Sequence, residues 1–126
     1  MINIPKRGIV EEEKRMTNGN NKQDLSINEG TIKFSIRANK VNYSDNQVVP
    51  LFQGNPQGGS IFILKDSDNK IKFFHVFLGK GRTDVEYDVS GLDKSKKYLF
   101  VFTWSVKNKE INIYVDGDRK SAKINY

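Results

Sequence analysis

From Gly30 onwards apolar and polar residues alternate with a period of two, the signature of strands with one dry and one wet face. Over residues 31–39, Ile32, Phe34, Ile36 and Ala38 alternate with Lys33, Ser35, Arg37 and Asn39. Over 98–106, Tyr98, Phe100, Phe102, Trp104 and Val106 share one face, and Leu99, Val101, Thr103 and Ser105 the other. Over 84–89, Val85, Tyr87 and Val89 oppose Asp84, Glu86 and Asp88, and over 110–115 Ile111, Ile113 and Val115 point inward. The run Ile61-Phe62-Ile63-Leu64 within 60–65 is apolar at every position, which predicts a strand covered on both faces. Residues 70–78 return as its hairpin partner, and a last, polar strand is expected over 119–126. Pro50 makes 48–53 an edge or bent strand rather than a central one.

Turn chemistry separates these segments: Gly54-Asn55-Pro56-Gln57-Gly58-Gly59, Asp66-Ser67-Asp68-Asn69, Gly79-Lys80-Gly81, Lys107-Asn108-Lys109 and Asp116-Gly117. No segment keeps a helical period. The reading is all-β: a two-sheet antiparallel β-sandwich of jelly-roll type, with Phe34, Ile63, Phe100, Phe102 and Ile113 buried. Residues 1–29 lack the pattern and read as a strand or two plus loops. Glu11-Glu12-Glu13-Lys14-Arg15 can open one helical turn, which Thr17-Asn18-Gly19-Asn20-Asn21 would end. The whole chain, 1–126, is expected to be one domain, since domains commonly run to about 100–150 residues.

With this order of strands the chain resembles the concanavalin A-like lectin/glucanase superfamily, and within it the laminin-G-like domains. Three segments carry the resemblance. The opener Glu29-Gly30-Thr31-Ile32-Lys33-Phe34-Ser35-Ile36 is similar to the family's GTIEFWF strand. A hairpin runs from Ile63-Leu64-Lys65-Asp66 to Asn69-Lys70-Ile71-Lys72-Phe73. The third is Val101-Phe102-Thr103-Trp104-Ser105 followed by Ile111-Asn112-Ile113-Tyr114-Val115-Asp116-Gly117. The Trp that usually opens the long strand is replaced by Lys97-Tyr98, and the family usually continues with further strands where this chain has only 118–126. The resemblance implies the fold and a binding module. It leaves the ligand open among sugars, heparin-like polymers, proteins and lipid head groups, often with calcium.

Charge and composition narrow the chemistry. The formal net charge is +6, with the lysines scattered, which raises the weight of anionic partners and equally fits edge strands kept soluble. There is no cysteine and one histidine, so thiolate zinc sites and nucleophilic triads lack parts. The lack of cysteine fits a reducing compartment slightly better than an oxidising one, and the compartment stays open. The first residues lack the apolar core of a signal peptide, and no stretch approaches the ~18 apolar residues of a membrane helix. The chain therefore reads as soluble.

Asp84, Glu86 and Asp88 place three carboxylates on one strand face, and retaining glycosidases use two carboxylates about 5–5.5 Å apart. The related glucanases carry Glu-x-Asp-x-Glu, the inverse of the types here, and line their cleft with Trp, of which this chain has one. A solvated face balancing lysines is the reading taken, and no catalytic residue is assigned. Asp66-Ser67-Asp68-Asn69 and Asp116-Gly117-Asp118 can offer oxygens to calcium. Lys70 interrupts the EF-hand pattern, which favours plain Asx turns and no bound cofactor. His75 and Trp104 read as packed core residues. Gly79-Lys80-Gly81-Arg82 has no helix after it and so is no phosphate loop.

The ligand surface expected instead is the polar face of the strands, with Lys33, Arg37 and Asn39 on the first and Asn112 and Tyr114 near the end. Arg offers a bidentate fork, Asn a donor and an acceptor, and Tyr a stacking plate. The function expected is a non-catalytic lectin-like module for a carbohydrate, an acidic glycan in particular. The alternative is a protein-interaction module that assembles, as a homodimer or with another chain, through a sheet edge left open after Asp116-Gly117. A glucanase-like hydrolase ranks third. A nucleic-acid binder ranks last, because interleaved exposed aromatics and a basic stripe are missing.

Overall fold

A computed structural model describes residues 25–126 in full and, before them, the backbone of two short strands. The strands are β1 (Ile2–Asn3), β2 (Val10–Glu12), β3 (Glu29–Ile36), β4 (Val49–Gly54), β5 (Gly59–Lys65), β6 (Lys70–Phe77), β7 (Gly81–Asp88), β8 (Tyr98–Ser105), β9 (Glu110–Val115) and β10 (Asp118–Lys123). They form two antiparallel sheets, ordered β1-β4-β5-β6-β7 and β10-β9-β8-β3-β2. β4–β7 and β8–β10 are meanders. The non-local pair β3–β8 joins Glu29 to Ser105 and Ile36 to Tyr98, and it ties the start of the domain to its end.

The alternating residues meet between the sheets, as the period-two pattern predicts. Phe34, Ile63, Phe100, Phe102 and Ile113 are all buried, with Trp104, Ile61, Ile71 and Phe73 beside them. Each large side chain taken out of water contributes about 1.5–3 kcal/mol. Gly30 lies opposite Trp104, and a Cβ there would fall 2.4 Å from the indole. Only glycine lets that ring lie across β3, with its N–H donating to the Ser26 carbonyl at 2.8 Å. Pro50 is exposed, and the β4–β5 register shifts between Pro50 and Phe52, so β4 is the bent strand expected.

Four expectations change. β3 ends at Ile36, and Ala38 sits exposed in a turn rather than on the core face. Glu11 and Glu12 lie in β2, paired with Ser35 and Phe34, instead of opening a helical turn; residues 13–24 lie outside the described residues. The edge after Asp116-Gly117 is filled by β10, and β1 and β2 extend the sheets beyond β4 and β3. A polar segment can do this because ladder pairing uses backbone groups and needs no apolar side chain. Finally, β5 is buried on one face only: Ile61, Ile63 and Lys65 point inward, while Phe62 and Leu64 stay half-exposed outside. No helix among the described residues is long and apolar enough to cross a membrane.

Candidate functional site

The outer face of the β10-β9-β8-β3 sheet is where register gathers the expected polar residues. Lys33 pairs with Val101, Val101 with Tyr114, and Tyr114 with Arg119, which makes one row across four strands. Adjacent strands lie about 4.8 Å apart, so the row spans about 14 Å. The neighbouring row is Thr31, Thr103, Asn112 and Ser121. Lys33 and Arg119 are exposed at the two ends, and Tyr114 is half-buried between them. The arrangement is a phenol plate bracketed by two cations and bordered by hydroxyls.

The hairpin that builds the end of this row is fixed locally. Asp116 and Gly117 both have positive φ, 46° and 90°, as a two-residue turn of the I′ kind requires. Such a turn sets Val115 against Asp118 and hence Tyr114 against Arg119. Asp116 also accepts from the Leu99 N–H at 2.8 Å, which anchors the turn to β8. Arg119 escaped the sequence reading, although this turn was the signal that could have placed it.

The other candidates separate. Asn112 lies on the expected face but is buried, 3% exposed. Its amide nitrogen donates to Thr103 Oγ1 at 3.0 Å and to Glu110 Oε2 at 3.4 Å, and its oxygen accepts from Ser121 at 2.6 Å. Both its amide hydrogens are used and its oxygen accepts from Ser121, so it ties β8, β9 and β10 together beside the row. Arg37 and Asn39 are not on the strand at all. They sit in the turn after β3, where Asn39 takes a left-handed φ of 64° and donates its N–H to the Lys94 carbonyl at 2.6 Å. That contact brings Arg37 and Lys40 to the same end of the sandwich as Lys94, Lys96 and Lys97, all exposed.

The acidic groups weighed for catalysis or calcium have partners inside the chain. Asp84 holds Arg82 through two bonds of 2.8 Å, Glu86 faces Lys70 at 3.5 Å, and Asp88 accepts from Ser90 at 2.7 Å. Asp66 and Asp68 converge on the Lys72 ammonium at 3.0 and 3.1 Å, so an internal cation occupies the mouth of that turn. Asp118 accepts from the Tyr87 hydroxyl at 2.7 Å; burial first, and this carboxylate second, push the phenol up to about 12. Among the described residues no three acidic or histidine side chains are grouped as a metal site.

His75 is fully buried, as a packed histidine should be. Its Nε2 lies 2.8 Å from the Ile27 carbonyl, which can only accept, so the proton sits on Nε2. Nδ1 then accepts from the Tyr126 hydroxyl at 2.9 Å, which shares its one proton with the His75 carbonyl at 3.0 Å, and Tyr126 accepts from Thr83 at 3.0 Å. Burial holds the imidazole below its ordinary 6.5. In the unfolded chain His75 takes up a proton below that pH while the folded chain resists it, so unfolding gains a proton and stability falls with pH. Denaturant midpoints measured from about pH 7 down to about pH 5 should decline. His75→Asn should flatten that decline while costing about 1–3 kcal/mol at neutral pH. A flat wild-type profile would contradict the buried, neutral assignment.

No protein-family model matches the chain, nor does any curated protein sequence. Among solved structures, domains LG4-5 of the mouse laminin α1 chain superpose with a TM-score of 0.61 at 16% identity, covering 94% of this chain. The match spans 27% of that chain's length. Two antiparallel sheets facing one aromatic core, in the strand order described, give the chain a laminin-G-like β-sandwich fold.

Proposed function

We propose that this chain is a non-catalytic, lectin-like binding module that takes a carbohydrate, preferentially an acidic one, on the outer face of the β10-β9-β8-β3 sheet. The row Lys33–Val101–Tyr114–Arg119 carries the reading. A phenol offers an apolar plate with a polar tip to a sugar ring. Lys33 and Arg119 suit carboxylate or sulfate groups on either side, and Thr31 and Ser121 suit hydroxyls. A non-catalytic role is supported by the internal partners of Asp84, Glu86 and Asp88, the three carboxylates that share one strand face.

A glycan array containing neutral, uronic and sulfated sugars, read at low salt, tests this. Tyr114→Ala should weaken binding of the best ligand about tenfold, the scale of a lost aromatic contact near 1.4 kcal/mol. Lys33→Ala with Arg119→Ala should weaken it further and flatten its salt dependence, because exposed charges are screened. No binder anywhere on the array, or a Tyr114→Ala variant that binds as well as the parent, would remove the proposal.

A further inference from the structure

The opposite side of the molecule carries a surface of another kind. On the outer face of β5 and β6, Phe62 and Phe74 are a cross-strand pair with ring centroids 5.9 Å apart and planes inclined by 25°. Leu64 and Val76 flank them, half-buried, and no described element lies over any of the four. Among the described residues the exposed large hydrophobic ones, Val48 at 55% and Leu78 at 68%, adjoin the ends of β4 and β6 in the same sheet. A strand apolar on both faces is the pattern of one covered on both faces.

The edge strands β7, of this sheet, and β10, of the other, are not where apolar surface is offered. β10 carries Arg119, Lys120 and Lys123, and β7 carries Arg82, Asp84, Glu86 and Asp88, the charged edge strands that block pairing between molecules. The face, by contrast, is self-complementary. Its middle row is Gln53, Phe62, Phe74 and Asp84. One flanking row holds Leu64, Lys72 and Glu86, and the other Ser60, Val76 and Arg82. A two-fold axis along the middle row lays the face on its own copy and exchanges the flanking rows. Phe62 and Phe74 then meet themselves, Val76 meets the aliphatic stem of Lys72, and Arg82 meets Glu86 twice, once on each side.

Both side chains reach the surface and can meet a copy, Arg82 while it holds Asp84 and Glu86 while it faces Lys70. The Arg82 side chain is 60% exposed and Glu86 48% exposed. Asp84 meets its own copy already neutralised by the two bonds from Arg82, whose guanidinium also lies 5.1 Å from the Phe74 ring centre. We propose that this chain forms a two-fold homodimer by face-to-face packing of the β4-β5-β6-β7 sheets, with Phe62 and Phe74 at the centre and reciprocal Arg82–Glu86 pairs at the flank. The lectin-like face lies on the other sheet and points away from this interface, so the dimer presents two of them, and neither proposal depends on the other.

The test uses two single variants of the whole chain, Glu86→Arg and Arg82→Glu, followed by sedimentation velocity across a concentration series. The parent should sediment as a dimer at tens of micromolar. Glu86→Arg sets Arg against Arg82 of its copy, and Arg82→Glu sets Glu against Glu86, so each alone should weaken dimerisation at least tenfold. Mixed one to one, the two variants regain both opposite-charge contacts, and the dimer should return as a heterodimer. That recovery also shows that both variants are folded. A parent that stays monomeric throughout, single variants as dimeric as the parent, or a mixture that stays monomeric would each overturn the proposal.

Discussion

Phe102→Ala is expected to cost about 3–5 kcal/mol, and Val101→Ala, one residue earlier, less than about 1 kcal/mol. Phe102 is fully buried and touches rings from both sheets. Its centroid lies 5.4 Å from Phe34 on the neighbouring strand and 5.5 Å from Phe73 across the sandwich, the latter edge-on at 76°. Truncation therefore opens a cavity where the two layers are joined, and three packed aromatics cannot collapse to fill it. Domain stability is about 5–15 kcal/mol in total, so the variant should lose a large share of it, with a fall in Tm of about 10–20 °C. Val101 faces outward beside Lys33 and Tyr114, where a lost methyl pair is met by water. Denaturant titrations of the two variants check this. Comparable losses, or the reverse order, would mean that β8 sits one residue out of register, since a single-residue slip exchanges its faces.

That parity is the part of the fold the sequence displays openly. Where one face is dry and the other wet, side chains must alternate, and Phe100, Phe102 and Trp104 announce their burial without help from the rest of the chain. The same logic fails at β5. An uninterrupted run such as Ile61-Phe62-Ile63-Leu64 tells only that neither face is polar. It does not tell whether the second cover is a helix, a strand or another molecule, and in this chain no described element provides one.

The candidate site was legible residue by residue but not as an arrangement. Lys33 and Tyr114 were placed on the wet face by parity alone. Joining them required the β3–β8 pairing, whose partners lie more than sixty residues apart and leave no local mark. Carrying the alternation through Arg37 and Asn39 overran the strand, because Asn39 tolerates the left-handed backbone that ends it. Asn112 shows a different limit. Its side chain points to the wet face, yet Thr103, Glu110 and Ser121 close around it and use its hydrogen bonds. Polar type and strand parity do not reveal such a cluster before the register is known.

Lys65 was the residue least expected to matter, and its partner should prove the more sensitive of the two: Asp45→Ala is expected to cost about 2–3 kcal/mol and Lys65→Met about 1 kcal/mol or less. Lys65 ends β5 on the inward face and is completely buried. Its ammonium lies 3.0 Å from the Asp45 carboxylate, bonds the Gln47 carbonyl, and sits 3.5 Å from Asn69 Oδ1. Asn69 in turn accepts from the Asn46 N–H at 2.9 Å and donates to the Asn46 side chain at 2.6 Å. One buried cation thus sews the crossover between β3 and β4 onto the β5–β6 turn. Removing the carboxylate strands that charge among neutral dipoles, the costly way to break a buried pair. Asp45 itself stays 34% exposed, so after Lys65→Met water can take over its solvation, and the Met side chain fills much of the volume of the lysine stem. The hydrogen bond from Lys65 holds the Asp45 carboxyl below its ordinary 3.8, so the pair stabilises fully above that pH and fades as acid protonates it. Denaturant unfolding of both variants at neutral pH, with amide exchange read at Asn46 and Gln47, checks the asymmetry. If Lys65→Met proved as damaging as Asp45→Ala, the stranded-charge account would be wrong, and the lysine would be held for its bonds to Gln47 and Asn69 instead.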